Sequence, residues 1–178
     1  MPGALLLPES PDLGANFRVA TLDELEADAS KKSIVYGIDI LGHGSAEAQL
    51  LKTPITSVAL VREHKHTLYI AYNEDGEAIG LLKVGRKHLY YTKAKGGFLE
   101  IDPLCLLDFY VRPDLQRHGI GLAMFQHMLA NEHVGAHALA YDRPSPKLLP
   151  FLRKHFGLTD HVDQPNRYVV FDAYFSKD

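Results

Sequence analysis

The chain has 178 residues, 46% of them hydrophobic and 23% charged, with a formal net charge of −3. That suits one globular domain with a sizeable core and lacks the basic footprint of a nucleic-acid binder. No apolar run approaches the roughly 20 residues of a membrane span, and a single cysteine, Cys105, excludes an internal disulfide and fits a reducing compartment. The opening "MPGALLLPESPD" has an apolar triplet but no charged n-region, so no signal peptide is read and an intracellular soluble protein is expected. The ten histidines are scattered, without H-E-x-x-H or a zinc spacing, and no metal is expected.

Residues 1–20 read as a loose leader and 21–178 as one domain. Thr21 with Glu24 forms a capping-box signature, and Leu22, Leu25, Ile34, Ile38 and Leu41 give a helical stripe interrupted near Ser30. "GHG" at 42–44 is expected to break that helix, with Ser45 capping a second short one that Pro54 stops. "ITSVALV", "TLYIAYN", "EAIGLLKVG" and "RKHLYYT" read as strands, with "NEDG" as a hairpin turn using Gly76 at positive φ. After the basic loop "KAKGG", the run "LCLL" predicts a strand buried on both faces. "GLAMFQHMLANEH" reads as a helix with Phe125, Met128 and Leu129 inward, "AHALAY" as a strand, "SPKLLPFLRKHFG" as a helix and "RYVVFDAYF" as a closing strand. The order is α/β with a mixed, mostly antiparallel sheet flanked by helices.

The segment "VRPDLQRHGIGLAMF" runs from a strand end through a turn with two glycines into a helix. Helix N-termini preceded by glycines hold phosphate, because unpaired N–H groups and the helix dipole both favour an anion. Neither G-K-[ST] nor a third glycine is present, so a P-loop and a dinucleotide turn are excluded. On these residues alone, a phosphate site and a ligand-free helix start both remain open.

The pattern Val111, Pro113, Gln116, Arg117, Gly119, Gly121 resembles the pyrophosphate loop of the Gcn5-related N-acetyltransferase (GNAT) fold. "PLCLLDFYV", "DRPSPKLLPFLRKHF" and "AQLLKTPITS" extend the likeness to the α-tubulin N-acetyltransferase family, over residues 21–175. The resemblance implies the GNAT-like fold, acetyl-CoA as co-substrate, no metal, and a lysine of a luminal loop of α-tubulin in microtubules as acceptor. It implies a cytoplasmic, cytoskeletal setting, cilia or flagella included. The coenzyme would be held by Phe109, Tyr110, Val111, Gln116, Arg117, His118, Gly119, Ile120, Gly121 and Leu122. Ser145, Lys147, Leu148, Phe151 and Lys154 would form a second coenzyme segment, with Ser145 as N-cap and Pro146 at N1. Two departures stand out: Leu122 replaces the family's arginine, and Pro150 predicts a kink.

Acetyl transfer needs a neutral amine. Deprotonating a lysine of pKa about 10.4 at pH 7 costs about 4.6 kcal/mol, which a base or desolvation must offset. It also needs a donor for the oxyanion, expected from the backbone of Leu107–Tyr110. Asp142, at a strand end, reads either as a general base or as an ion-pair partner of Arg143 or Arg117; the resemblance favours the base. Cys105 reads as a small buried hydrophobe, and the resemblance adds a proton-relaying or positioning role. Gln49 reads as a surface residue, and the resemblance makes it a catalytic and substrate-orienting one. Asn166 and Arg167 are candidate substrate contacts, and Asp108 is expected to order the loop or pair with Arg117. The basic "KAKGG" and "KVGRKH" segments would meet acidic tubulin surfaces or stay solvated. Direct transfer in a ternary complex is the leading reading. The same fold acting on another lysine or a small amine is the second, and a binding module without turnover the third.

Overall fold

The computed structural model describes residues 5–6 and 16–176. Among the described residues seven strands form one sheet in the order β1(Leu5–Leu6), β2(Phe17–Thr21), β3(Thr67–Asn73), β4(Ala78–Arg86), β7(Leu104–Val111), β8(Leu139–Asp142), β9(Tyr168–Val170), and β5(Leu89–Thr92) pairs separately with β6(Phe98–Ile101). The pairs β1–β2, β2–β3, β5–β6 and β8–β9 are antiparallel, and β7–β8 is parallel. Among the described residues no helix is long and apolar enough to cross a membrane. Two compact units form, one from residues up to 83 with 108–132, the other from 84–107 with those from 133 on.

In the first unit, helix α1(Leu22–Glu26) starts on the expected capping box, with the Thr21 side chain and Glu24 exchanging bonds. The leader reading fails at its end. Phe17–Thr21 pairs with β3, Phe17 and Val19 buried and Arg18 exposed, an alternation too short to read from sequence. The rest of the leader falls largely outside the described residues.

A 3₁₀ turn at Ala29–Lys31 makes the predicted interruption, and α2(Lys32–Ala48) then runs unbroken through Gly42-His43-Gly44. The glycines serve close approach rather than a break. A Cβ on Gly42 would collide with the Thr56 carbonyl, and one on Gly44 would lie 2.7 Å from the Tyr110 hydroxyl. Ser45 is therefore mid-helix and buried, not a cap. "ITSVALV" is also not a strand. Ser57 caps α3(Val58–His64), its Oγ accepting from Leu60 N at 3.1 Å, and a four-residue apolar run cannot by itself distinguish helix from strand. The β3–β4 hairpin is as expected, with Gly76 at φ +76°. Leu25, Ile34, Ile38, Leu68, Ile70 and Leu81 form the core of this unit. Helix α4(Ile120–Glu132) buries Met124, Phe125 and Met128, while Leu129 is only half-buried.

In the second unit the β5–β6 turn places Gly96 and Gly97 at positive φ. Cys105 faces Ala140 and Asp142 faces Tyr168 in register. Helix α5(Leu148–Phe156) begins later than expected. Its N-cap is Lys147, so Ser145 is no N-cap and Pro146 is not N1; Ser145 instead closes the preceding turn with its carbonyl on Leu148 N at 3.0 Å. Pro150 is the third helical residue, where an N–H has no intrahelical acceptor, and the predicted kink is not needed. The closing strand ends at Val170; Phe171 makes a single bridge to His161, and Asp172–Phe175 is a 3₁₀ turn.

Candidate active site

In the first unit, Val111 ends β7 and a 3₁₀ turn at Pro113–Leu115 leads to the two glycines. Gln116 does not reach outward with its amide; Nε2 donates to the Val111 carbonyl at 2.8 Å and pins the turn. Arg117 and Gly119 sit at φ +69° and +84°, reversing the chain just before α4 begins. A Cβ on Gly119 would meet nothing within 4 Å, whereas one on Gly121 would lie 3.3 Å from the Phe109 ring. Gly119 thus gives conformation and open space, and Gly121 lets the aromatic close against the helix. Among the described residues the buried Nδ1 of His118 has no hydrogen-bond partner. The first turn of α4 carries no acidic residue. N–H groups that a helix start leaves without intrahelical acceptors, an orphan imidazole nitrogen and the exposed Arg117 suit an oxyanion such as a pyrophosphate.

Gln49 lies in the same unit, at the C-terminus of α2, and is not an isolated surface residue. Asp108, on β7, accepts from Ser45 Oγ at 2.7 Å, Gln49 Nε2 at 3.2 Å and Thr56 Oγ1 at 2.6 Å. Gln49 Nε2 also donates to Ser45 Oγ at 2.9 Å. Asp108 therefore does not pair with Arg117, because its carboxylate oxygens are turned into this buried cluster. Sequence reading missed Ser45 and Thr56. The available signal was that Ser45 and Gln49 are spaced i, i+4 on one helix face.

In the second unit Cys105 is fully buried. Its Sγ donates to the Pro103 carbonyl at 3.5 Å. Burial first, then the nearby Asp142 carboxylate, pushes the thiol up to about 12. The thiol is thus held protonated at neutral pH and is not a ready thiolate, which disfavours an acetyl-enzyme. Below the free-thiol value of 9.0 both folded and unfolded chains hold this proton. Above it the unfolded chain loses the proton first, so stability falls as pH rises from about 9 toward 12. The expected result is that iodoacetamide leaves Cys105 unmodified at pH 7.5 and labels it fully in urea, read by intact mass.

Asp142 ends β8 with its side chain 21% exposed, and Arg143 Nε lies 3.4 Å from Oδ1 on a guanidinium 69% exposed. Tyr168, opposite Asp142 on β9, is also pushed up to about 12, by burial and then by Asp142 and Cys105. The second unit thus brings Cys105, Asp142 and Tyr168 together. Tyr168 escaped the sequence reading because it looked like one more aromatic of a strand.

The remaining candidates are more scattered. Asn166 Oδ1 accepts from Tyr168 N at 3.0 Å and so shapes the turn before β9. Arg167 is exposed at φ +64°, its carbonyl accepting from Arg143 N. Phe151 packs on His155 with ring centres 4.8 Å apart; Leu148 is half-buried, while Lys147 and Lys154 are exposed along α5. Phe109, Tyr110 and Leu122 are half-buried, and Val111 and Ile120 are buried. Among the described residues no group of three or more His, Cys, Asp or Glu side chains is placed to hold a metal ion.

The family model described as "GNAT acetyltransferase, Mec-17" matches residues 13–178. The chain belongs to this family. It is 47% identical over 163 residues to an alpha-tubulin N-acetyltransferase of Phytophthora infestans, covering 82% of this chain and 91% of that one. It is 46% identical to alpha-tubulin N-acetyltransferase 1 of Danio rerio, covering 92% of this chain but only 60% of that protein. Among solved structures, AtaT complexed with acetyl-methionyl-tRNAfMet superposes with a TM-score of 0.56 at 18% identity, covering 87% of this chain and 93% of that chain. At that identity the likeness bears on the fold alone, and the fold is that of GNAT acetyltransferases.

For a GNAT acetyltransferase the 111–122 turn makes a direct prediction. Gly119→Ala forces a Cβ into the left-handed region at about 1–2 kcal/mol and puts a methyl in the open cradle. Acetyl-CoA affinity is expected to fall at least about tenfold by calorimetry, with the melting temperature lowered by a few degrees.

Proposed function

We propose that this protein is an acetyl-CoA-dependent lysine N-acetyltransferase whose acceptor is a luminal lysine of α-tubulin in microtubules, and that it works on the cytoskeleton, including that of cilia. The observation that carries the reading is the 47% identity to a relative named for this activity, over 91% of that relative. We read residues 21–178 as a single catalytic domain, in keeping with the reach of the family model.

In this reading the 111–122 turn and the start of α5 bind the coenzyme. Asp142 takes the proton from the acceptor ammonium, and the freed amine attacks the thioester carbonyl. The C–S bond breaks, the amide forms, and coenzyme A leaves as a thiolate that takes up a proton. Cys105 assists from the buried strand beside that of Asp142, as a positioning or proton-relaying group. Gln49 orients the acceptor segment, Asn166 and Arg167 border it, and a backbone N–H of Leu107–Tyr110 donates to the oxyanion. An acceptor screen tests the assignment. With acetyl-CoA fixed, kcat/KM for assembled microtubules should exceed that for unrelated lysine peptides and for spermine by at least about a hundredfold. Equal rates on all acceptors would remove the tubulin assignment and leave a broad amine acetyltransferase.

A further inference from the structure

We propose that Asp108 is a positioning residue that fixes Gln49 as a hydrogen-bond acceptor toward the substrate; this rests on the reading of Gln49 as substrate-facing. The Gln49 amide nitrogen is turned inward, donating to Ser45 Oγ at 2.9 Å, to Asp108 Oδ1 at 3.2 Å and, at 3.4 Å, to the Ser45 carbonyl. Ser45 passes its own hydrogen to Asp108 at 2.7 Å, so its oxygen is free to accept. A flipped amide would set Oε1 against the carboxylate, which the charge forbids. The carbonyl Oε1 is then the only Gln49 group left to face outward, and it accepts from an N–H of the acceptor segment.

Asp108 also ties down the chain that follows Gln49. Its other oxygen accepts from Thr56 at 2.6 Å, so one carboxylate holds both ends of segment 49–56. The buried Lys83 ammonium donates to the Ile55 carbonyl beside it. Within that segment Leu50 is 92% exposed at φ +59°, a conformation that normally goes to glycine. Leu51 N on the Ala46 carbonyl at 2.8 Å closes the reversal. A non-glycine held in the left-handed region beside a site residue is strain that surrounding bonds must sustain. Asp108 supplies two of those bonds.

The test compares Gln49→Ala, Asp108→Ala and the double variant with the whole chain, using acetyl-CoA and assembled microtubules. Each single variant should lose about 10- to 100-fold in kcat/KM for the acceptor, as expected for a bond to a charged group. The acetyl-CoA Kd should stay within about threefold, and the double variant should be no worse than the poorer single by more than about threefold. Gln49→Glu alone sets two carboxylates together, and adding Asp108→Asn, which conserves volume and restores a donor, should recover at least tenfold. This swap keeps the proposal open to refutation if Asp108→Ala fails to fold. Multiplicative losses in the double variant, or no rescue by the swap, would overturn it. A readout independent of any acceptor is the Gln49 side-chain amide in ¹⁵N NMR. Its protons should exchange slowly in the wild type and fast in Thr56→Val or Asp108→Ala; equally fast exchange in all three overturns the positioning even where no tubulin is acetylated. Gln49→Ala with wild-type transfer would instead remove the reading of Gln49 on which the proposal stands.

Discussion

Asp142→Asn is expected to lower kcat for acetyl transfer by about 10²–10⁴-fold while leaving acetyl-CoA binding within about threefold of wild type. The amide keeps the shape of the carboxylate but cannot accept a proton, and a general base contributes within that range. The competing view, a structural ion pair, predicts something else. The Asp142–Arg143 contact is 3.4 Å long and its guanidinium is 69% exposed. A solvated pair of this kind is worth about 0–1 kcal/mol. Its loss would show as a small fall in melting temperature and almost none in rate. The pH profile separates the two further. With the base gone, free amine must come from solution, so the residual rate of the variant should climb nearly tenfold per pH unit up to about pH 10, the range of an ordinary lysine. Stopped-flow transfer at pH 7, 8 and 9, with calorimetry for the coenzyme, distinguishes them. A variant that loses stability and rate together, with no steeper pH dependence, would return Asp142 to a structural role.

Gly42→Ala is expected to destabilise the protein by up to about 2 kcal/mol although it replaces a helix-interior glycine. Alanine in the middle of a helix gains about 0.8–1 kcal/mol over glycine. Here the new Cβ would run into the Thr56 carbonyl, which is backbone and cannot swing aside. The cost of overpacking, typically 1–3 kcal/mol, outweighs the gain. The displaced residue is the one whose hydroxyl holds Asp108, so transfer should fall along with stability. Gly37→Ala is the internal control. It lies on the same helix, and its Cβ would make only ordinary contacts with Ala78, 3.4 Å to Cβ and 3.8 Å to the backbone nitrogen. That change should stabilise by about 0.5–1 kcal/mol. Urea denaturation of both variants gives the two signs directly, and a stabilised Gly42→Ala would contradict the packing described at the α2–Thr56 contact.

These glycines also show where sequence reading reaches its limit. Gly42 and Gly44 carry the same local signal as a helix end, and only the approach of Thr56 and Tyr110, residues far along the chain, turns that signal into helix packing. "ITSVALV" failed for a related reason: four apolar residues fit either period until Ser57 is seen capping Leu60. Where the pattern was local and redundant it was readable. The Thr21–Glu24 box, the Gly76 hairpin and the buried strand around Cys105 all lie where expected. The site divides in the same way. The glycine turn before α4 announces itself by spacing. The partners of Gln49 do not, since Asp108 is 59 positions away and reaches it only when β7 and α2 are packed. Tyr168 beside Asp142 likewise depends on β8–β9 register.

Whether the chain acetylates α-tubulin is decided by mass-spectrometric mapping of α-tubulin after incubating assembled microtubules with the purified chain and acetyl-CoA. One dominant acetylated lysine is expected, in a luminal loop of α-tubulin, with none gained when the chain or acetyl-CoA is left out. Unmodified tubulin from a chain that binds acetyl-CoA normally would contradict it, as would acetyl groups scattered over exposed lysines of both tubulin subunits.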